Sequence, residues 1–490
     1  MKSQPVKYLL QNSLASKFFF SGLLFFCFSS TITAQIDNTV WSLNQCVDYA
    51  VANNVTVKQG KLQTQINKNN LQSAQWDYAP NLSLGTNYAW NFGLNIDPVT
   101  NQISQETRQT ANMQLSSNWV LFDGGRKFNS IDRANFNYLA SLYEYEDIAN
   151  NIKINVANAF LQILLNKEIS NVAKEQLRIT QFQTARMKDR VEAGASPEGD
   201  LLQLEAQEAR DQQSLIAAQN AVQLSKIQLA NLLQLPNPQD FDIAEPDLAV
   251  PDPTVISRNA DGIYQVALEN QPVIKGAELR VKSSEEAIKI SQAGYLPSLS
   301  LIGQVGSSYS DQIPNVTGVN ETIVPIGEVA GTGQLVTTLV PQQFPVFDGT
   351  KPFNNQVNDN LNQFVGINLT VPLFNRFTVK NAVQNARLQQ EISQLNLEQE
   401  KNNLRQTIYQ AHADAKASYN SYLAAQKSTT ASQKALDYAQ ERFKVGALNQ
   451  VDFEQAKNNF IGAKSQMIQS KYDYIFRIKV LEFYLTNQIN

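Results

Sequence analysis

Side chains suited to chemistry are few in this chain, and they are scattered. Its 490 residues include one histidine, His412, and two cysteines, Cys27 and Cys46. His412 sits in Gln410-Ala411-His412-Ala413 within a long helical pattern, where it reads as a solvated or subunit-facing residue. No CxxC, HExxH or phosphate-loop pattern occurs, and the carboxylates are spread along the chain rather than paired for acid–base work, so neither an enzyme nor a cofactor is indicated. What recurs is a turn with charges beside it. Arg190-Val191-Glu192-Ala193-Gly194-Ala195 is followed by Asp200, and Arg442-Phe443-Lys444-Val445-Gly446-Ala447 by Asp452. The chemistry open to these residues is electrostatic. An acid near a helix start is favoured by the helix dipole by about 0.3–1 kcal/mol, and Arg190 and Arg442 near helix ends are favoured in the same way. The arginines also suit contact with another chain. Gly194 and Gly446 can adopt the positive φ that reverses a chain between antiparallel helices, and Pro197 suits a first helical turn.

Composition narrows the setting for these turns. Net charge is −4, from 40 basic and 44 acidic residues, which gives no electrostatic case for nucleic acid. Charged residues are only 17% of the chain, so Asn, Gln, Ser and Thr carry its polarity, as suits a wide water-filled conduit. Lys2, Lys7 and Lys17 precede an apolar run from Phe18 to Phe28, and Thr33-Ala34-Gln35 follows. This predicts a signal peptide over 1–34, cleaved after Ala34. Lipidation at Cys27 is disfavoured by the bulky Phe25 and Phe26 before it. Cleavage leaves Cys46 without a disulfide partner, and no later apolar stretch is long enough for a membrane-spanning helix.

An internal repeat sets the organisation. Gly194 and Gly446, Asp200 and Asp452, and Leu121-Phe122-Asp123 and Leu373-Phe374-Asn375 all lie 252 positions apart. Upstream, Tyr78-Ala79-Pro80-Asn81-Leu82 resembles Tyr295-Leu296-Pro297-Ser298-Leu299 at an offset of 217, so the second copy holds 35 extra residues. They fall in the Gly- and Pro-containing segment Asp311 to Asn358, which reads as a long loop. Each copy predicts helix, strand, loop, strand, long helix, turn and helix, over 35–235 and 262–490, with a Pro- and Asp-rich linker at 236–261. The opening helices are expected as single rods over Leu43–Asp77 and Ile263–Gly294, the long helices over Gly125–Glu192 and Arg376–Lys444, and the closing helices over Pro197–Leu235 and Asn449–Thr486. A helix of about 68 residues spans about 100 Å, a length that signals coiled-coil packing. An opening and a closing helix laid end to end match one long helix.

The four strands alternate with period two. Leu82, Leu84, Tyr88, Trp90 and Phe92 share one face, opposite Asn81, Ser83, Asn87 and Asn91; segments near 112–121, 298–309 and 360–373 repeat the pattern. Ten or more alternating residues mark barrel strands that are apolar toward lipid and polar toward a lumen, with Tyr88, Trp90, Trp119 and Tyr309 as interfacial aromatics on the outer face. Four strands cannot close, and an open edge in hydrocarbon is too costly, so several copies are required. Three copies give 12 strands with room for a pore, which favours a homotrimer.

This duplicated pattern strongly resembles the TolC-type outer-membrane efflux proteins over about Leu43 to Leu485. Its carriers are Trp119-Val120-Leu121-Phe122-Asp123-Gly124-Gly125, Val371-Pro372-Leu373-Phe374-Asn375, and the turns from Gly194 to Asp200 and from Gly446 to Asp452. The resemblance implies a mixed membrane β-barrel and α-helical barrel, with four strands per chain in a 12-stranded trimeric barrel and a tunnel crossing the periplasm. It also implies that outer-membrane lipid surrounds the barrel, and that an inner-membrane transporter feeds the duct through a periplasmic adaptor protein. The turn tips, with Arg190, Gly194, Ala195, Arg442, Gly446 and Ala447, would then contact the adaptor and narrow to a gate.

In such relatives the position of Asp452 lines the constriction, so Asp200 and Asp452 are expected at the entrance as well as at helix starts. A second aspartate of the ring is replaced here by Gln455. The latch arginine is replaced by Leu448 and its aromatic partner by Phe443, so this entrance should carry one acidic ring and close without that salt bridge. A passive exit duct for small molecules is the expected function. A type I protein-secretion duct would use the same channel, and a structural periplasmic coiled-coil protein would explain the rods but not the strands.

Overall fold

The computed structural model describes residues 40–96, 103–105, 107–238, 241–246 and 248–486. The expected signal peptide at 1–34, with Cys27, lies outside them. The first half runs α1 (Leu43–Asn53), α2 (Val55–Trp76), β1 (Ser83–Asn91), β2 (Asn95–Ile96), β3 (Ile103–Ser104), β4 (Arg108–Phe122), α3 (Arg126–Glu192) and α4 (Glu198–Leu233). The second runs α5 (Ala260–Asn270), α6 (Pro272–Gln292), β5 (Ser298–Ser310), β6 (Pro314–Thr322), β7 (Pro325–Glu328), β8 (Leu335–Thr337), β9 (Gln342–Thr350), α7 (Phe353–Asp359), β10 (Asn362–Thr370), α8 (Thr378–Lys444) and α9 (Gln450–Thr486). Both long rods, α3 and α8, have 67 residues and so span about 100 Å.

Two expectations need correction. Neither opening helix is a single rod. Asn54 leaves helical geometry at φ −58°, ψ 132°; its Oδ1 caps α2 through Thr56 N–H at 2.9 Å, and its Nδ2 donates to Leu232 O at 3.1 Å. Gln271 breaks the second helix at ψ 127° because the ring of Pro272 excludes helical geometry from the residue before it. The segment 311–358 is also not a plain loop. It folds into a two-stranded ribbon, with β6 paired to β9 and β7 to β8, and then the short helix α7.

Side by side, the helices make a layer one rod thick. Next to the sheet the order is α2, α3, α6, α8; toward the turns it is α4, α3, α9, α8. The shorter helices thus stack end to end beside the 67-residue rods. Above them the long strands form one antiparallel sheet in the order β1-β4-β5-β10, with Leu84 facing Leu115 and Leu301 facing both Trp119 and Ile367. The outer edges of β1 and β10 have no partner strand among the described residues.

The apolar core sits at mid-height, where the short helices meet. One cluster joins Cys46, Phe160, Ile163, Leu229, Leu233 and Ile243; the other joins Ile263, Ile274, Ile408, Tyr474 and Ile478. The linker between the halves is tied to this waist by charge. Lys167 reaches Asp242 and Glu245, each at 2.8 Å, and Lys226 reaches Asp242 at 3.0 Å. His412 is half-buried and makes a contact across the waist. Its Nε2 lies 3.1 Å from Ile256 O and 3.0 Å from Arg258 O; since both are acceptors, the ring donates and pins the linker to α8.

Burial alone would raise the Asp242 carboxyl, but hydrogen bonds from Lys167, Lys226 and Ile243 N–H outweigh it and hold the group below its ordinary 3.8. A lowered folded value stabilises fully above the unfolded value and less as pH falls through the folded one. Thermal unfolding should therefore show wild type losing its advantage over Asp242→Asn as pH is lowered from 5 to about 2. A gap independent of pH would leave Asp242 without this role.

Candidate functional site at the helical tips

Both hairpin turns are built alike. After α3, Ala195 N–H donates to Arg190 O at 2.7 Å and Gly194 N–H to Val191 O at 2.9 Å; after α8, Ala447 N–H donates to Arg442 O at 2.8 Å and Gly446 N–H to Phe443 O at 3.1 Å. This double closure requires a left-handed residue after the helix cap, and Gly194 and Gly446 supply it at φ +71° and +73°. The arginines then part company. An Arg442 guanidinium nitrogen donates to Ala447 O at 3.2 Å, tightening its own turn, whereas Arg190 lines the groove described below.

The acids also differ. Asp200 is half-buried in the first turn of α4, with its N–H on Pro197 O at 3.2 Å. Asp452 is exposed, and Asn449 grips it from both sides: Asp452 N–H donates to Asn449 Oδ1 at 2.8 Å, and Asn449 Nδ2 donates to Asp452 Oδ2 at 3.0 Å. One carboxylate oxygen serves the helix start while the group stays open to water. Gln455 donates along its own helix to Asn459 at 2.9 Å. Phe443 stacks on Phe453 at 4.9 Å, and Leu448 is half-buried in the turn. Asp452, Phe443 and Leu448 are thus gathered at one tip, with Asp200 at the other.

Between the two hairpins, just behind the tips, lies an open groove of about 600 Å³. Phe182, Phe443, Phe453 and Phe460 form apolar wall, while Arg186, Arg190, Lys444 and Lys464 give it a basic rim. At its wall a polar cluster joins three helices. Lys457 of α9 is only 3% exposed; its ammonium donates to Thr180 Oγ1 at 2.9 Å and Gln183 Oε1 at 3.2 Å on α3, with Glu454 at 3.4 Å. Thr180 donates in turn to Asp211 of α4 at 2.6 Å, which also accepts from Gln176 and Gln207 at 3.1 and 2.7 Å. Burial pushes the Glu454 carboxyl up, more strongly than nearby Lys457 pulls it down. These residues were not singled out from sequence. The available signal was polar Gln176, Thr180 and Gln183 standing on the same helical stripe as Val172 and Met187.

At the sheet, Tyr88 and Trp90 meet edge to face at 4.7 Å, and Tyr309 rests on Phe353 at 5.3 Å; all three lie toward the ribbon end. Trp119 lies at the helix end, donating from Nε1 to Tyr78 O at 2.8 Å. The alternation did not mark a second collar beside Trp119, where Trp76, Phe128, Tyr295, Phe374 and Phe377 are exposed at the strand–helix junctions.

A sheet of long strands set on a layer of paired rods, with charged hairpin tips at the far end, is the arrangement expected of an outer-membrane efflux protein. The model of the outer membrane efflux protein family matches residues 46–234 and 263–482, and the chain belongs to that family. The chain is similar to the outer membrane efflux protein BepC of Brucella suis, 20% identical across 87% of this chain and 81% of the relative. It is also similar to the pyoverdine export outer membrane protein OpmQ of Pseudomonas putida, 27% identical across 44% and 45% of the two chains. The solved structure of CusC superposes with a TM-score of 0.70 over 91% of each chain at 17% identity. By its family the protein is therefore a transport protein of the outer membrane that extends into the periplasm.

Removing Lys457 would leave Asp211 and Glu454 without their buried cation, at a cost of about 3–5 kcal/mol. Hydrogen exchange on Lys457→Met should show protection lost in the tip-proximal turns of α3, α4 and α9 and unchanged at the waist. Unaltered exchange at the tips would mean that the cluster does not hold the hairpins together.

Proposed function

We propose that three copies close into a 12-stranded barrel over a tunnel of rods, forming the exit duct of a tripartite efflux system for small molecules. The observation that carries this reading is the match between the two open sides of the chain. The unpaired edges of β1 and β10 suit one another across a subunit boundary. Below them, α2 exposes Val55, Leu62 and Ile66, and α8 exposes Leu388, Ile392 and Leu395, each set at helical spacing on an outer rod of the layer. Their heights agree. Gly60 of α2 lies against Tyr145 and Ile148 of α3, and the 252-position repeat offset puts Leu395 of α8 at that level. Packing α8 of one copy on α2 of the next would cover both stripes, and repetition would close the ring.

In this assembly the tips converge at the periplasmic entrance. Three Asp452 carboxylates form its acidic ring, with Gln455 neutral beyond them and Asp200 on the flanking hairpins. The groove between the hairpins, with its phenylalanines and basic rim, takes a helical segment of the periplasmic adaptor, and Arg190, Gly194, Ala195, Arg442, Gly446 and Ala447 surround that contact. Apolar strand faces carrying Tyr88, Trp90, Trp119 and Tyr309 meet lipid. Cargo passes down its gradient while the inner-membrane transporter supplies the energy. The family description and the pyoverdine-exporting relative support a small-molecule cargo.

Two measurements test this reading. Oxidation of the Leu62→Cys, Leu395→Cys double variant should yield covalent trimers on a denaturing gel, since native Cys46 is buried. Persistence of monomer alone would refute the seam. In planar bilayers the channel should conduct ions, and Asp452→Asn should lower its cation preference several-fold, by removing a ring of like charge at a narrow mouth. Unchanged selectivity would confine Asp452 to its helix-start role.

A further inference from the structure

Just below the sheet, two helix starts carry the wrong charge for their dipoles. The first turn of α3 contains Arg126 and Lys127, with the carboxylate of Asp123 just before it accepting from Lys127 N–H at 3.2 and 3.3 Å, whereas that of α8 contains Lys380 and has neither an acid nor a side-chain cap. Helix starts favour anions. At the opposite end of the molecule the same chain obeys that rule, since α4 opens with Glu198 and Asp200 and α9 with Asp452. The α8 start is thus left without an anion of its own at the junction.

A cavity is present to receive one. Between the starts of α3 and α8 and the last turn of α6 lies an open cleft of about 690 Å³. Lys289, Lys380 and Arg387 line it with the amides of Gln292 and Gln384, and no acid is among its lining residues. Lys289 is shared with Glu286 at 2.7 Å and also feels Asp132 and Glu285, and Lys380 lies 5.5 Å from the Phe377 ring centre. Arg387 has no ion-pair partner among the described residues. Arg126 stands nearby, its guanidinium beside Gly294, whereas Lys127 is engaged by the carbonyl oxygens of Asp77 and Val120.

The height of the cleft identifies the anion's source. Above it β10 exposes Leu369, and the segment that follows exposes Val371 and Leu373, the last 93% exposed; around it stands the aromatic collar with Tyr295, Phe374 and Phe377. Aromatic side chains of this kind mark the level of lipid headgroups. Leu296 and Val383 add apolar surface to the cleft, which a free ion would not use. We propose that the cleft among α3, α6 and α8 binds the headgroup phosphate of an anionic phospholipid from the periplasmic leaflet, anchoring the channel at a set depth. The proposal rests on the outer-membrane setting, not on the identity of the cargo.

Native mass spectrometry of the detergent-purified channel tests it, with dioleoyl phosphatidylglycerol, dioleoyl phosphatidylcholine or inorganic phosphate added. Wild type should retain phosphatidylglycerol over phosphatidylcholine, and millimolar phosphate should not displace it. The Lys289→Gln, Lys380→Gln, Arg387→Gln triple variant should lose that preference, by roughly fivefold for each cation removed. Arg387→Gln alone, at an exposed position, keeps the test open if the triple variant fails to assemble. Equal retention of the two lipids, or displacement by phosphate, would overturn the proposal. So would altered ion selectivity of the variant with lipid retention intact, which would assign these cations to the lumen. Unchanged conductance of a variant that has lost the lipid preference would separate this site from the duct function.

Discussion

Backbone polar groups that one chain cannot pair with itself are the constraint on which this architecture depends. The sheet β1-β4-β5-β10 satisfies its interior ladders and leaves two outer edges open. In hydrocarbon each such group costs several kcal/mol, which is the physical reason for proposing closure with further copies. The rods face the apolar version of the same problem. A layer one helix thick has two outer flanks, and α2 and α8 leave leucine and isoleucine stripes on theirs. Strand length, strand alternation and the exposed flanks all fit the proposed ring of copies.

Cohesion within the chain is graded along its height. At the waist, where helix ends meet and the linker crosses, large apolar side chains such as Phe160, Ile408 and Tyr474 are fully enclosed, and Lys167, Lys226 and His412 fasten the linker. Toward the tips the hairpins diverge around an open groove, and α3, α4 and α9 are joined there through the Lys457–Thr180–Asp211 chain. A polar junction resists sliding because its geometry is specific, while a groove beside it leaves room for a partner. The two tips are alike in backbone and unlike in side chains: Arg442 and Asn449 tie down the second turn, whereas at the first Arg190 lines the groove and Pro197 stands in the place of Asn449. The repeat is therefore near-symmetric in form and asymmetric in the contacts it offers.

Much of this was legible in the sequence, because its signals are local. Period-two alternation located all four long strands, and the 252-position offset placed two rods whose ends fall within a few residues of those expected. Glycine at 194 and 446 announced the turns, since few other residues take positive φ cheaply. The break at Gln271 was equally local and was passed over, although Pro272 excludes helical geometry before it. Asn54 was harder to see: its break is held by a bond to Leu232, 178 positions away. The ribbon from Pro314 to Thr350 carries bulges and glycines that blur its alternation.

What the sequence determined by itself is therefore the inventory and order of the parts: strand alternation, rod lengths and turns. Only the tertiary structure decided which side chains meet across the parts. Thr180 and Lys457 are 277 positions apart, His412 reaches back to Ile256, and the junction cleft draws Lys289 from one helix and Lys380 and Arg387 from another. The reason is physical. Periodicity states which face of a helix is buried, but the partner of a buried polar group is set by how the helices stack beside one another, and stacking is a property of the whole layer.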